Sequence, residues 1–178
     1  MRIAGWTLLL VLAGCTPSEP PSWPTGGAPL SIPEARWERR GERVVQILPN
    51  GNVLEGGKLV LSVDRVGRVV DEDYDPVGIL LPDGRVIGTD DEPLGQVGVT
   101  NAAPPWSGVA WLAVMPDGTV THFRPDGERE AWGRWLGCPG PALRTCTLVT
   151  HMLMLREAGS APASGVSFGV GVGVGIGF

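Results

Sequence analysis

The chain is poor in the residues that most often carry out chemistry. It contains only two histidines, His122 and His151, and three cysteines in 178 residues. A zinc site takes three or four ligands from histidine, cysteine and carboxylate side chains, and no close cluster of these types occurs in the sequence. His122 falls on a predicted strand and His151 lies among apolar residues, so we expect both to have structural roles.

Positive charge is scarce as well. The chain has 14 basic residues against 19 acidic ones, a net charge of −5, and Lys58 is its only lysine. A protein that binds nucleic acid needs a basic surface, so this composition argues against such a partner.

The apolar run that ends at Val11 is also too short for a membrane-spanning helix, which needs about 20 residues.

That apolar run is part of an N-terminal pattern. Arg2 precedes it, and Leu12-Ala13-Gly14-Cys15 follows it. One basic residue, an apolar stretch and small residues are typical of a signal peptide. With cysteine next, the segment resembles the lipobox of bacterial lipoproteins. The resemblance implies a signal peptide over residues 1–14, cleavage after Gly14, lipid attachment at Cys15, and a membrane anchor in the cell envelope. In bacterial lipoproteins an aspartate directly after the lipidated cysteine favours the inner membrane. The resemblance therefore implies that a chain with Thr16 at this position goes to the outer membrane.

The other two cysteines form an even pair. Cys138 and Cys146 are separated by a segment that contains Pro139-Gly140-Pro141, which can turn tightly. In an oxidising compartment we expect them to form a disulfide. The alternatives are two free thiols or half of a metal site, although their spacing fits no zinc pattern.

Two segments with different local signals lie between the lipobox and the central part of the chain. Residues 15–30 are rich in proline, which is typical of an extended, semi-stiff tether. Ser31-Ile32-Pro33-Glu34 then has the order of a helix capping box, so we predict a short helix that ends at Gly41. Its alternating arginines and glutamates favour a solvated surface over a basic binding face.

The central part of the chain is repetitive. Pro49-Asn50-Gly51, Pro82-Asp83-Gly84 and Pro116-Asp117-Gly118 each lie between two apolar runs, and Gly67 lies halfway between the first two copies. Such turns between β-branched runs indicate hairpins with a unit of about 17 residues. We therefore predict one mainly β domain over residues 31–156, with the short helix leading into antiparallel hairpins. A sandwich, a barrel and a short solenoid all fit this pattern.

Residues 157–178 form a spacer and a tail. From 165 to 178, large apolar residues alternate with glycine or serine, which is the period of a β-strand. The tail could add a strand to its own domain, pair with another envelope protein or a second copy, or remain flexible. Gly165-Val166-Ser167-Phe168-Gly169 within it matches a nucleophile-elbow pattern, but no histidine follows to complete a triad.

Two further sets of residues are candidates for ligand binding. Asp71, Asp73 and Asp75 have the spacing of a calcium loop, but Pro76 replaces the glycine that such a loop requires. The tryptophans could stack on sugars or fill the core. This second set consists of Trp106, Trp111, Trp132 and Trp135.

No set of residues predicts an enzyme or a bound cofactor. We expect a lipid-anchored envelope protein that acts as a non-catalytic structural or protein-interaction module. The alternative is a lipoprotein that binds a saccharide or calcium. An exposed cleft lined by two tryptophans would favour ligand binding, whereas a filled core with a free edge strand would favour protein interaction.

Overall fold

The computed structural model describes residues 18–39 and 43–160. Gly14, Cys15 and the tail at 165–178 lie outside this part of the chain. Among the described residues, no helix combines the length and the apolar character needed to cross a membrane.

Twelve short antiparallel strands form a closed barrel. Each strand pairs with its neighbours in sequence, and β1 pairs with β12 to close the ring. The strands are β1 Ala35–Glu38, β2 Val45–Ile47, β3 Asn52–Glu55, β4 Lys58–Val63, β5 Arg68–Val70, β6 Pro76–Leu80, β7 Arg85–Ile87, β8 Pro93–Val97, β9 Asn101–Ala103, β10 Leu112–Val114, β11 Thr119–Phe123 and β12 Arg129–Leu136. The prediction of a mainly β domain built from short antiparallel hairpins is confirmed, and the barrel is the architecture adopted.

Five of the turns between strands share one geometry. In each, a glycine amide donates to the carbonyl three residues earlier, and the glycine has a φ between +79° and +95°. Glycine accepts this backbone conformation because it has no Cβ. The glycines are Gly51, Gly67, Gly84, Gly118 and Gly127.

The chain connections define two ends of the barrel. The repeat end carries the turns at 48–51, 64–67, 81–84 and 115–118. The loop end carries the connections at 71–75, 88–92, 104–111 and 124–128. Successive strands run in opposite directions, so alternate connections fall on opposite ends.

A helix fills the barrel. After a 3-10 turn at Gly140–Ala142, helix α1 covers Leu143–Ser160, and residues 145–151 are almost completely buried on every side. Its side chains form hydrogen bonds with Val60 on β4, Leu94 on β8 and Trp135 on β12. These three strands are evenly spaced around the ring. Only a helix inside the barrel can reach all three. It enters at the repeat end and ends at the loop end. The prediction of β structure as far as residue 156 is therefore wrong from residue 143 onward.

The predicted N-terminal helix is also wrong. Residues 35–38 form β1, in which Ala35 and Trp37 face the core while Arg36 and Glu38 face outward. Trp37 stacks on Trp135 of the neighbouring strand with their ring centroids 5.6 Å apart. Burial of two large aromatic side chains stabilises by several kcal/mol, more than a capping box of about 1 kcal/mol.

The last part of the proline-rich segment packs on the barrel. The amides of Gly27 and Leu30 donate to the carbonyls of Val66 and Arg65 at the repeat end. Ala28 is fully buried. Residues 27–30 are therefore part of the domain, and the stretch free to act as a tether is shorter than the proline content suggests.

Candidate functional site

A groove opens at the loop end of the barrel. It lies between the 104–111 connection and the hairpin that joins β11 to β12, and its volume is about 740 Å³. This volume is within the range of about 300–1,000 Å³ that is usual for small-molecule sites. The side chains that matter for its chemistry are Trp106, Val109, Trp111, His122, Phe123 and Arg129.

The 104–111 connection is held in shape by its own hydrogen bonds. The Ser107 amide donates to the Pro104 carbonyl at 3.1 Å, and the Val109 amide donates to the Ser107 hydroxyl at 3.0 Å. This turn leaves Trp106 68% exposed. Its ring meets that of Trp111 edge to face, with centroids 5.6 Å apart. The two tryptophans form a corner that is open to solvent on one side.

The central helix supports this corner from inside. Trp111 Nε1 donates to His151 Nδ1 at 3.0 Å, so the other ring nitrogen, Nε2, donates to the Leu94 carbonyl at 2.8 Å. Burial lowers the pKa of His151 to about 4, and the hydrogen bond to Leu94 opposes this only in part. His151 is therefore a neutral ring whose two nitrogens fix the position of the groove wall.

His122 forms part of the groove floor. Its ring packs on Trp132 with centroids 4.3 Å apart. Its Nδ1 is buried and has no hydrogen-bond partner among the described residues, and the nearest carboxylate oxygen, on Glu130, is 3.8 Å away. Burial lowers the pKa of His122, although Glu130 acts to raise it. The floor is thus an uncharged aromatic surface at neutral pH.

Two arginines lie on the rim. The Arg129 guanidinium is 5.8 Å from the centre of the Phe123 ring, and Arg124 lies 3.5 Å from the carboxylate of Glu128. Guanidinium groups donate several hydrogen bonds and pair well with hydroxyl or carboxylate oxygens. The groove can therefore hold a ligand with one apolar face and polar groups at its edge.

The chain matches no protein-family model, no curated protein and no solved structure. The chemistry of the groove is therefore the basis for assigning a function.

The predicted tryptophans divide between the groove and the interior. Trp106 and Trp111 line the groove, whereas Trp135 is buried in the core and donates from Nε1 to Thr150 of the helix at 3.0 Å. Trp132 is partly buried between His122 and the guanidinium of Arg39. Core packing thus applies to Trp135, whereas Trp106 and Trp111 remain the candidates for contact with a ligand.

The predicted calcium candidates lie in the connection between β5 and β6. There the Asp71 carboxylate accepts hydrogen bonds from the backbone amides of Asp73 and Asp75, at 2.9 and 3.0 Å. A carboxylate engaged in this way shapes the turn. In the described part of the chain, no group of three histidine, cysteine, aspartate or glutamate side chains is placed to hold a metal ion.

The two cysteines of the predicted pair are joined. A disulfide links Cys138, just after β12, to Cys146 in α1, with their Cα atoms 6.4 Å apart. It fixes the start of the helix to the strand that precedes it. The bond therefore helps to hold the helix within the barrel at the repeat end, far from the groove.

Proposed function

We propose that this chain is a lipid-anchored protein of the cell envelope that binds a saccharide in the aromatic groove without catalysing a reaction. The observation that carries the proposal is the exposed corner formed by Trp106 and Trp111. Aromatic rings attract the CH-bearing faces of sugar rings, and an indole that is held in place loses little entropy when it binds.

The rim and the size of the groove support a saccharide. Arg124 and Arg129 place guanidinium donors beside the aromatic floor. A sugar offers hydroxyl or carboxylate oxygens at its edge, which match these donors. The volume of about 740 Å³ is enough for a short oligosaccharide.

The state of the nearby polar groups supports binding rather than catalysis. Both nitrogens of His151 are used in hydrogen bonds, and the hydroxyl of Ser107 accepts one from the Val109 amide. A general base needs a free lone pair within reach of the proton that it removes. His151 has none, and the Nδ1 of His122, which has no partner among the described residues, is buried. These groups act instead as supports for the groove.

The barrel itself favours the groove over strand addition as the site of interaction. Because β1 pairs with β12, the twelve described strands offer no free edge to which a further strand could be added. The tail at 165–178 would have to find its strand partner outside this barrel. Two tryptophans at a cleft and a sheet without an edge together favour the ligand-binding alternative.

The envelope location rests on the lipobox sequence at Leu12-Ala13-Gly14-Cys15. The disulfide between Cys138 and Cys146 supports it, because disulfides persist in oxidising compartments outside the cytosol. We propose Cys15 as the point of lipid attachment and the outer membrane as the site of the anchor.

The test is glycan binding by the full lipidated protein in detergent. Neutral and acidic oligosaccharides from bacterial envelopes are titrated by calorimetry into wild type, Trp106→Ala and Trp23→Ala. Trp23 is the matched control, because it packs on Arg68 on the outer wall, away from the groove. We expect Trp106→Ala to weaken binding at least about tenfold, or about 1.4 kcal/mol, and Trp23→Ala to leave it unchanged. Equal affinities for all three proteins, or no binding to wild type, would contradict the proposal.

A further inference from the structure

We infer that the loop end of the barrel faces the bilayer that holds the lipid, and that the 104–111 connection contacts the lipid headgroups. This inference rests on the proposed attachment of lipid at Cys15. It adds an interaction surface and an orientation that the lipobox alone does not provide.

The first observation is where the chain emerges. The hydroxyl of Ser18 donates to the Asp90 carboxylate at 2.8 Å, and Asp90 lies in the 88–92 connection at the loop end. Ser18 is three residues from Cys15. Three residues reach about 11 Å at most, even when fully extended. A lipid at Cys15 would therefore hold this end of the barrel close to the membrane surface.

The opposite orientation is sterically difficult. The largely buried part of helix α1, residues 143–154, runs from the repeat end towards the loop end and is about 18 Å long, which sets a minimum for the height of the barrel. A chain of three residues fixed at the loop end cannot reach past that height. Inverting the barrel would require release of Ser18 and part of the packed N-terminal segment.

The second observation is the character of the exposed side chains. The most exposed large apolar residues in the described part of the chain are Val109 at 75%, Trp106 at 68% and Tyr74 at 62%, all at the loop end. Tryptophan and tyrosine favour the interface between membrane and water. The exposed apolar residues of the repeat end are aliphatic and less exposed, for example Met115 at 47%.

The two observations coincide in space. Tyr74 lies in the 71–75 connection, and Trp106 and Val109 lie in the 104–111 connection. Between them around the ring is the 88–92 connection, which carries the contact with Ser18. The proposed anchor thus emerges between the two connections that carry these exposed side chains, and both connections approach the membrane when the anchor is held there.

Charge restricts the kind of bilayer. The loop end also carries the acidic residues at 71–75 and 90–92. Anionic headgroups repel such a surface, so the expected partner is a zwitterionic surface such as phosphatidylethanolamine. The groove then opens beside the bilayer, where it can reach saccharides that are displayed at the membrane surface.

The experiment places one fluorescent probe at each end of the barrel. Full lipidated protein carrying Val109→Cys or Met115→Cys is labelled with an environment-sensitive dye and incorporated into phosphatidylethanolamine–phosphatidylcholine vesicles. The native Cys138–Cys146 pair is closed, so the dye reacts at the introduced thiol. Lipids with a nitroxide on the headgroup then quench dyes that lie at the interface.

We expect the dye at 109 to shift to shorter wavelength and to lose most of its fluorescence, while the dye at 115 keeps both. Quenching at 115 alone, or at neither position in protein that floats with the vesicles, would overturn the orientation and leave the proposed anchor intact. Protein that does not float would overturn both. Glycan binding is measured separately in detergent, so a failure of the groove is recognised independently.

Discussion

The neutral His151 predicts an acid sensitivity that can be calculated from the structure. The side chain is fully buried, with Nδ1 accepting from Trp111 and Nε2 donating to the Leu94 carbonyl. A protonated imidazole has no lone pair left to accept the Trp111 hydrogen bond. The fold therefore binds a proton here only when the pH falls to about 4, the lowered pKa of His151.

The sign and the size follow from linkage. Above pH 6.5 the ring is neutral in both the folded and the unfolded chain, so its contribution is constant. Below that pH the unfolded chain binds a proton and the folded chain does not, so stability falls as the pH is lowered. Each pH unit costs about 1.4 kcal/mol, and the fall from pH 6.5 to about 4 costs about 3 kcal/mol.

Urea unfolding of wild type and His151→Gln between pH 7.5 and 4 measures this contribution. Glutamine retains a donor and an acceptor but does not titrate, and both proteins share the same carboxylates. We expect wild type to lose about 3 kcal/mol more than the variant over this range. The assignment of a buried neutral ring would be refuted if the stability difference between wild type and His151→Gln did not change with pH. An NMR titration of the His151 imidazole near pH 6.5 would refute it as well.

Two further predictions concern the turns and the disulfide. A Cβ at Gly118 would lie 2.0 Å from the Trp135 carbonyl oxygen, so we expect Gly118→Ala to destabilise the fold by about 2–5 kcal/mol. Gly57 also has a positive φ but faces open space, so Gly57→Ala should cost only about 1–2 kcal/mol. Thermal unfolding compares the two variants, and equal losses would show that the close contact does not matter. Reduction of Cys138–Cys146 should lower the free energy of unfolding by about 2–3 kcal/mol in urea titrations with and without reductant, and unchanged midpoints would contradict this.

The hairpins could be predicted because their signals are local. An asparagine or aspartate followed by glycine specifies the turn within four residues, and Gly51, Gly84 and Gly118 adopt the expected positive φ. The closure of the ring could not be predicted, because β1 and β12 are far apart in sequence and neither carries a signal for the other. Turn chemistry fixes each hairpin but does not determine how many hairpins close a barrel.

Both errors about helices have physical causes. A helix inside a barrel is buried on all sides, and in α1 the buried residues include Thr147, Thr150 and His151 as well as apolar ones. Residues 143–160 therefore lack the one-sided apolar periodicity by which a surface helix is recognised. Near the N-terminus, the capping-box sequence at Ser31 is a local signal. Every second residue of β1, Ala35 and Trp37, is buried. The core contacts of these two side chains form only when the sheet closes, and they outweigh the local helix signal.

The groove was only partly visible in the sequence. Trp106 and Trp111 are close in the chain and stood out as candidates for binding sugars. Phe123 and Arg129 join them only because β10 pairs with β11 and β11 with β12. His151 reaches the site from inside the barrel. Its role depends on a helix that the sequence did not reveal.

The central helix has a consequence for the way the chain reaches its native state. Among the described strands, β1 is synthesised first and β12 last. The barrel closes when these two pair, and α1 follows β12. The helix must therefore be in place before the ring shuts, or the ring must open to admit it. Closure of the barrel pairs Trp37 with Trp135, which are far apart in the sequence, and topologies that depend on such contacts form slowly. For the envelope protein proposed above, slow closure would leave the chain unfolded for longer, and an unfolded chain is the form that can be threaded across a membrane.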